Sequence, residues 1–264
     1  MSLPLFQVDA FTRTPFGGNA AAVCMLDEPR EDAWLQQTAS EMNLAATTFL
    51  LPQEDGYRLR WFSVKAELEL CEHGTLASAH TLWEQGYLAS DTQARFYTRG
   101  GFLTAKQEGA WIELNFPAKP EEAADPGPGL RESLGVTPRY IGKSQLDYLV
   151  EVESEAVVRS IQPNFGQLAT LPARGVIVTA AADAASGYDF VSRCFFPSVG
   201  IDEDAVTGSA HCALSPFWSK RLGREQLTGY QASARGGIVR VRLDGDRVRL
   251  GGQAVTVLRG ELLS

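Results

Sequence analysis

Leu70-Cys71-Glu72-His73-Gly74-Thr75-Leu76-Ala77-Ser78-Ala79-His80 decides how the rest of the chain is read. A polar, Gly-containing turn opens onto a run of small residues. That pattern predicts a helix from Thr75 to about Gln85, with a small face suited to close packing inside a domain. A second copy of its ending stands at Thr207-Gly208-Ser209-Ala210-His211. The two Ser-Ala-His triplets lie 131 residues apart in a chain of 264, and all three histidines (His73, His80 and His211) fall in these stretches. The expectation is two related half-molecules, each presenting a helix start to one shared site.

The close of each half repeats as well. Arg99-Gly100-Gly101 matches Arg235-Gly236-Gly237 at an offset of 136, and a glycine follows each arginine by ten residues, Gly109 and Gly245, at the expected hairpin turn. Leu114 and Leu250 keep that offset, and Phe62 and Phe196 precede the two helices at an offset of 134. Two copies of this size are too large and too few for a solenoid. The predicted fold class is α+β: two pseudo-symmetric domains, each a β-barrel-like sheet around a central helix. The halves are expected at 1–117 and 139–264. A linker is expected at 118–138, where Pro120, Pro126, Gly127, Pro128 and Gly129 stand among charges.

Within the halves, strands are expected at Leu5–Ala10, Ala20–Leu26, Thr47–Leu51 (closed by Pro52) and Tyr57–Phe62. Trp34, Leu35, Thr38, Ala39 and Met42 form one helical stripe, with Asn43 as its left-handed stop. Further strands are expected at Tyr148–Val152, Gly175–Ala180 and Asp189–Phe196, and a final one through Leu250. Ala156–Leu171 reads as helix interrupted at Pro163.

A net charge of −8 argues against general attraction to nucleic acid or an anionic membrane surface. No segment approaches the roughly 20 apolar residues of a membrane span, and the opening residues carry no basic, apolar export signal. Four irregularly spaced cysteines, Cys24, Cys71, Cys194 and Cys212, do not suggest a disulfide framework. These features fit a reducing cytoplasm.

The chemistry is expected at the helix starts. Free N–H groups and the positive end of the dipole make each one a ready anion site, and two together could clamp one small carboxylate. The plainer alternative is that Thr75 and Thr207 are ordinary N-caps. His73 can move a proton near neutrality, whereas His80 and His211 read as buried hydrogen-bonding residues within or just after the first helical turn. Of the acids Glu72, Glu203 and Asp204, Asp204 stands immediately before the second turn and is the better ligand-facing candidate there. Asp202 reads as charge complementing the helix dipole. Neither Cys71 with His73 nor His211 with Cys212 has structural zinc spacing, so no metal is expected. The Arg-Gly-Gly segments lack the rest of a phosphate loop.

Phe6-Gln-Val-Asp-Ala-Phe-Thr12, Phe16-Gly-Gly-Asn19, Glu41-Met-Asn-Leu44, Arg60-Trp-Phe-Ser63, Leu70-Cys-Glu-His-Gly-Thr75, Glu203-Asp-Ala-Val-Thr-Gly-Ser-Ala210 and Arg235-Gly-Gly237 together resemble the PhzF-like isomerase family of phenazine biosynthesis. The resemblance runs in order from end to end. It implies a diaminopimelate-epimerase-like fold with the site in the cleft between two similar domains. It also implies proton-shift chemistry on a small carboxylic acid, no cofactor, and a homodimer. By position it assigns His73, Asp204, Gly208 and Ser209 to substrate binding and proton handling, with the backbone at 72–73 and 208–209 holding the carboxylate. Asn19, Cys71, Gly74 and Thr75 fall in matching motifs and are expected to bind substrate.

The departures bear on activity. Where the family has Ser-Glu-Thr after Glu-Met-Asn-Leu, with that Glu as general base, this chain has Ala45-Ala46-Thr47. Where the family has Gly before the turn histidine, it has Glu72; Ala20 and Ala205 replace prolines. Two readings follow. Either Glu72 or Asp204 takes the base role with His73 assisting, or the chain binds a small anionic metabolite without turnover.

Overall fold

A computed structural model describes residues 2–125 and 129–263. Pro126, Gly127 and Pro128 of the expected linker lie outside the described residues. The fold is α+β and dominated by strands. It divides into two compact units, Met1–Asn115 with Gly251–Ser264, and Phe116–Leu250.

In the first unit, β1 (Ser2–Ala10) pairs antiparallel with β2 (Asn19–Met25). After helix α1 (Asp32–Met42), β3 (Ala46–Gln53) runs parallel to β2 and antiparallel to β4 (Gly56–Phe62). A short β5 (Glu67–Leu68) returns along β4 and leads into α2 (Glu72–Glu84). β6 (Ala94–Thr98), β7 (Gly101–Glu108) and β8 (Trp111–Pro117) follow as antiparallel neighbours. Asn43 stops α1 at φ 51, with its N–H donating to the carbonyl of Ala39, as the sequence predicts. β3 runs on through Pro52, past the predicted end.

The two faces of the β2–β3 pair are covered differently. Ala22, Cys24 and Phe49 pack with Leu35 and Ala39 of α1. Side chains alternate along a strand, so Asn19, Ala21, Ala46 and Thr48 share the opposite face, with Ala21 paired to Ala46. That face meets α2: Thr48 Oγ1 accepts from Ser78 Oγ at 3.1 Å and donates to the Ala22 carbonyl. Most of α2, from Gly74 to Ala79 with Thr81 and Leu82, is buried, so the sheet wraps a central helix of small residues.

The second unit places β9 (Glu122–Ala123), α3 (Leu130–Leu134) and β10 (Tyr140–Lys143) before β11 (Asp147–Glu151). Then come α4 (Glu155–Ser160) and α5 (Phe165–Leu168), the interrupted helix expected around Pro163. β12 (Gly175–Ala181) is parallel to β11 and antiparallel to β13 (Phe190–Phe196). β14 (Ile201–Asp204) leads to α6 (Gly208–Leu222), and β15 (Gln226–Gln231), β16 (Gly237–Asp244) and β17 (Arg247–Gly252) close the unit. α6 is buried on nearly all sides up to Ser219, as expected of a helix without a polar face. It contains Pro216, which has no N–H for the carbonyl four residues back. That carbonyl, Cys212, accepts instead from the N–H of Lys119 at 3.0 Å.

The boundaries differ from those expected. The last strand, β18 (Ala254–Leu263), lies in the first unit because it pairs along the whole of β1, from Ser2↔Leu263 to Ala10↔Ala254. The described part of 118–138 is built into the second unit. Besides Lys119, Ala118 donates to the Asp246 carbonyl at 2.8 Å, and Glu122 and Ala123 pair with β10.

Gly74 is where α2 comes closest to the sheet. A Cβ there would lie 2.8 Å from Thr48 Cγ2, 2.9 Å from Cys71 Sγ and 2.9 Å from Trp61 Cδ1, all on buried residues. Gly74→Ala gains about 1 kcal/mol of helix propensity but overpacks a filled site at a cost of about 1–3 kcal/mol. Urea unfolding should show net destabilisation; an unchanged or higher midpoint would mean that this face of α2 is loosely packed.

Candidate active site

α2 begins three residues earlier than the sequence suggests. Cys71 is an extended N-cap with φ −148 and ψ 101, so Glu72, His73 and Gly74 form the first turn rather than preceding it. An acid at the first helical position suits the dipole, which is the local reason for the earlier start. The cap residue makes no side-chain capping hydrogen bond, and Thr75 is not a cap: its hydroxyl donates back to the Cys71 carbonyl at 2.7 Å. Cys71 Sγ lies 3.5 Å from His73 Nδ1 and 3.7 Å from Nε2. Glu72 is only 7% exposed, while His73 is half-buried.

α6 begins at Gly208, with Thr207 as N-cap, again without a side-chain capping bond. The Thr207 hydroxyl is used elsewhere and donates to Asp204 Oδ2 at 2.7 Å. Gln231, fully buried on β15, holds both ends of this loop. Its Oε1 accepts from the Thr207 N–H at 2.8 Å and its Nε2 donates to the Asp204 carbonyl at 2.8 Å. Ser233 Oγ adds a bond to the Ala205 carbonyl at 2.7 Å. Ser209, buried in the first turn, accepts from Arg174 Nη2 at 3.0 Å.

Each candidate therefore has a defined place. Glu72, His73, Gly74 and Thr75 form one helix start with Cys71 as its cap, and Asn19 stands buried at the start of β2 on the face that α2 covers. Gly208 and Ser209 form the other start, with Asp204 at the end of the strand leading into it. Glu203 has a structural role, gripped at both oxygens by Arg193 at 2.7 and 2.9 Å. The Ser-Ala-His triplets occupy different places in their helices: His211 is the fourth residue of α6 and His80 the ninth of α2. His80 lies beyond the first turn, beside Thr256 at 3.2 Å. Gln231 and Arg174 were not among the expected residues. Each acts on a segment more than twenty positions away, and neither sits in a local pattern that would mark it.

A family model described as phenazine biosynthesis-like protein, PhzC-PhzF, matches residues 8–260. The chain belongs to the PhzC-PhzF family. An uncharacterized isomerase of Halalkalibacterium halodurans is 50% identical over all of this chain and 99% of its own length. A phenazine biosynthesis-like domain-containing protein of Mus musculus is 37% identical, with 99% of each chain covered. Among solved structures, a PhzF-family protein of Enterococcus faecalis aligns over the whole of both chains with a TM-score of 0.95 at 37% identity. A hydroxyproline epimerase of Agrobacterium vitis, at 11% identity and a TM-score of 0.62, shares the fold. This PhzC-PhzF chain is thus a member of an isomerase-type family with an epimerase-like fold.

The charge state of the α6 start is also set. His211 has no solvent exposure, and its Nδ1 donates to the Thr207 carbonyl at 2.8 Å. Its Nε2 has no hydrogen-bond partner among the described residues. Burial pushes its pKa down from 6.5 to about 4, only partly offset by the Thr207 bond. The folded state thus prefers the neutral ring. The stability this contributes is full above pH 6.5 and is lost as pH falls towards 4, up to about 3 kcal/mol. Urea unfolding of wild type against His211→Asn should show the excess loss between pH 6.5 and 4; parallel pH profiles would contradict a buried neutral His211.

Proposed function

We propose that this protein catalyses a cofactor-independent isomerisation or epimerisation by proton shift on a small carboxylic acid. Glu72 and Asp204 are the proton-handling carboxylates, and His73 assists. The helix starts at Glu72 and Gly208 hold the substrate carboxylate, and Asn19, Cys71, Gly74, Thr75 and Ser209 contribute to its binding. That both starts serve one ligand is part of the proposal and follows from the family resemblance.

The observation that carries this reading is the burial of Glu72. A glutamate that had merely drifted into the position of a family glycine would be expected to face solvent, because burying an idle carboxylate is costly. Glu72 is instead enclosed at a helix start, where the dipole favours an anion. The position that lost the family's base, Ala46, lies on the strand face covered by the same helix. It is two residues, about 7 Å along β3, from Thr48, which reaches α2. One carboxylate has left the strand and another has appeared on the helix packed against it.

Two further parts of the proposal come from the sequence. The helix starts Glu72 and Gly208 are 136 residues apart, the same offset as the two Arg-Gly-Gly segments, which supports an ancestral duplication. The cysteine pattern and the opening residues add a cytoplasmic setting, and the family resemblance adds a homodimer.

The test is deuterium incorporation from solvent into a panel of small carboxylic acids bearing an acidic C–H. Glu72→Gln and Asp204→Asn should each slow incorporation about 10²–10⁴-fold. Incorporation that neither change affects would remove both residues from the proton path. Ala46→Glu separates the competing view of a non-catalytic binder: if wild type incorporates no deuterium and still binds an acid, and the restored glutamate creates no turnover, the protein is a binder.

A further inference from the structure

Arg174 stands immediately before β12 and is fixed at several points. Its Nε donates to Asp147 Oδ1 at 2.9 Å, and its Nη2 donates to Asp147 Oδ2, so the guanidinium and carboxylate meet as a two-pronged pair. Asp147 is 3% exposed. The Arg174 backbone is pinned as well: its N–H donates to the Leu146 carbonyl at 2.8 Å, and its carbonyl accepts from Ser198 Oγ at 2.6 Å. The guanidinium carbon lies 4.9 Å from the centre of the Phe196 ring. A planar fork held this way loses little further freedom when it makes one more bond, and that bond is Nη2 to Ser209 Oγ at 3.0 Å.

The direction of this bond matters because guanidinium has donors only. Ser209 Oγ must accept, so its single hydrogen is not used in the contact with Arg174. No other hydrogen bond of the Ser209 hydroxyl is found among the described residues. A buried hydroxyl in this state needs an acceptor, and Ser209 sits in the first turn of α6, where N–H groups already favour an anion.

We propose that Arg174, clamped by Asp147, is a positioning residue that fixes Ser209 Oγ as an acceptor and so commits its hydrogen to a ligand carboxylate oxygen. Arg174 acts through Ser209, and its Nε and Nη2 are paired with the Asp147 carboxylate. This rests on the reading that the start of α6 receives a carboxylate. The interaction is equal in ground and transition states, so its loss raises KM and leaves kcat nearly unchanged.

The experiment compares wild type, Ser209→Ala, Arg174→Gln and the double variant Ser209→Ala/Arg174→Gln. The probe is whichever acid of the panel incorporates deuterium fastest, and its primary amide serves as control. Ser209→Ala should raise KM about tenfold or more, as expected for a hydrogen bond to a charged group. Arg174→Gln should raise it comparably, with kcat within about twofold, and the double variant should be no worse than Ser209→Ala alone. Preference for the acid over its amide should shrink in each variant. Additive effects, or a KM unmoved by Arg174→Gln, overturn the proposal. Because Arg174→Gln leaves Asp147 buried without its partner, Arg174→Gln/Asp147→Asn repeats the comparison with no charge stranded. If wild type acts on none of the acids, the reading of turnover fails separately; if it also binds none of them, the carboxylate reading fails too. Crystal structures of wild type and the charge-free variant then decide the positioning role, and a Ser209 rotamer unchanged between them overturns it.

Discussion

A buried helix must settle the N–H groups of its first turn, and this requirement shapes the candidate site more than any other constraint. α2 and α6 both begin inside their units, and neither N-cap side chain turns back to cap its own helix. The cap of α2 is Cys71, which has no hydroxyl, and the hydroxyl of the α6 cap, Thr207, is committed to Asp204. In each unit, a helix start without a side-chain cap keeps N–H groups of its first turn open to an anion. The residues clustered at each start, Glu72 and His73 in one unit, Asp204 and Ser209 in the other, are those with acid–base or hydrogen-bonding chemistry.

Such starts work only if they are rigid, and the chain uses distant residues to make them so. Gln231 bonds both ends of the loop from Asp204 to Thr207, Ser233 takes its middle, and Arg174 reaches the first turn of α6 from the edge of β12. In the first unit Thr48 does related work, bonded to Ser78 and to the Ala22 carbonyl at once. The ion pair of Arg193 with Glu203 shows the other use of charge beside a site. It fixes a strand edge and leaves Asp204, the next residue, as the acid at the loop.

Much of this was legible in the sequence because the signals are local. Small residues in a helical run, an Asn stop for α1, and glycines at hairpin turns are each decided within a few positions. The resemblance carried the fold, and the roles of His73, Asp204, Gly208 and Ser209 rest on it. What escaped depends on partners far apart in the chain. The start of α2 was placed at Thr75 because Glu72 and His73 looked like turn residues, and only the extended backbone at Cys71 shows otherwise. The matched Ser-Ala-His triplets were misleading in detail, since His80 lies two turns into its helix and His211 in the first turn of its own. β18 was missed because its place is set by β1, at the other end of the chain.

Pro216 bears on how the second unit comes together. A proline deep in a buried helix vacates one carbonyl, and here the replacement donor is Lys119, almost a hundred residues earlier. α6 therefore cannot complete its own hydrogen bonding from local sequence. Its middle is finished only when the segment entering the unit arrives, a contact of long loop closure that ties the first residues of the unit to its central helix. A fragment beginning at 139, where the glycine- and proline-rich stretch invites a cut, would leave the Cys212 carbonyl buried without that donor. The described part of the segment that reads as a flexible connector is hydrogen-bonded into the unit it was expected merely to join.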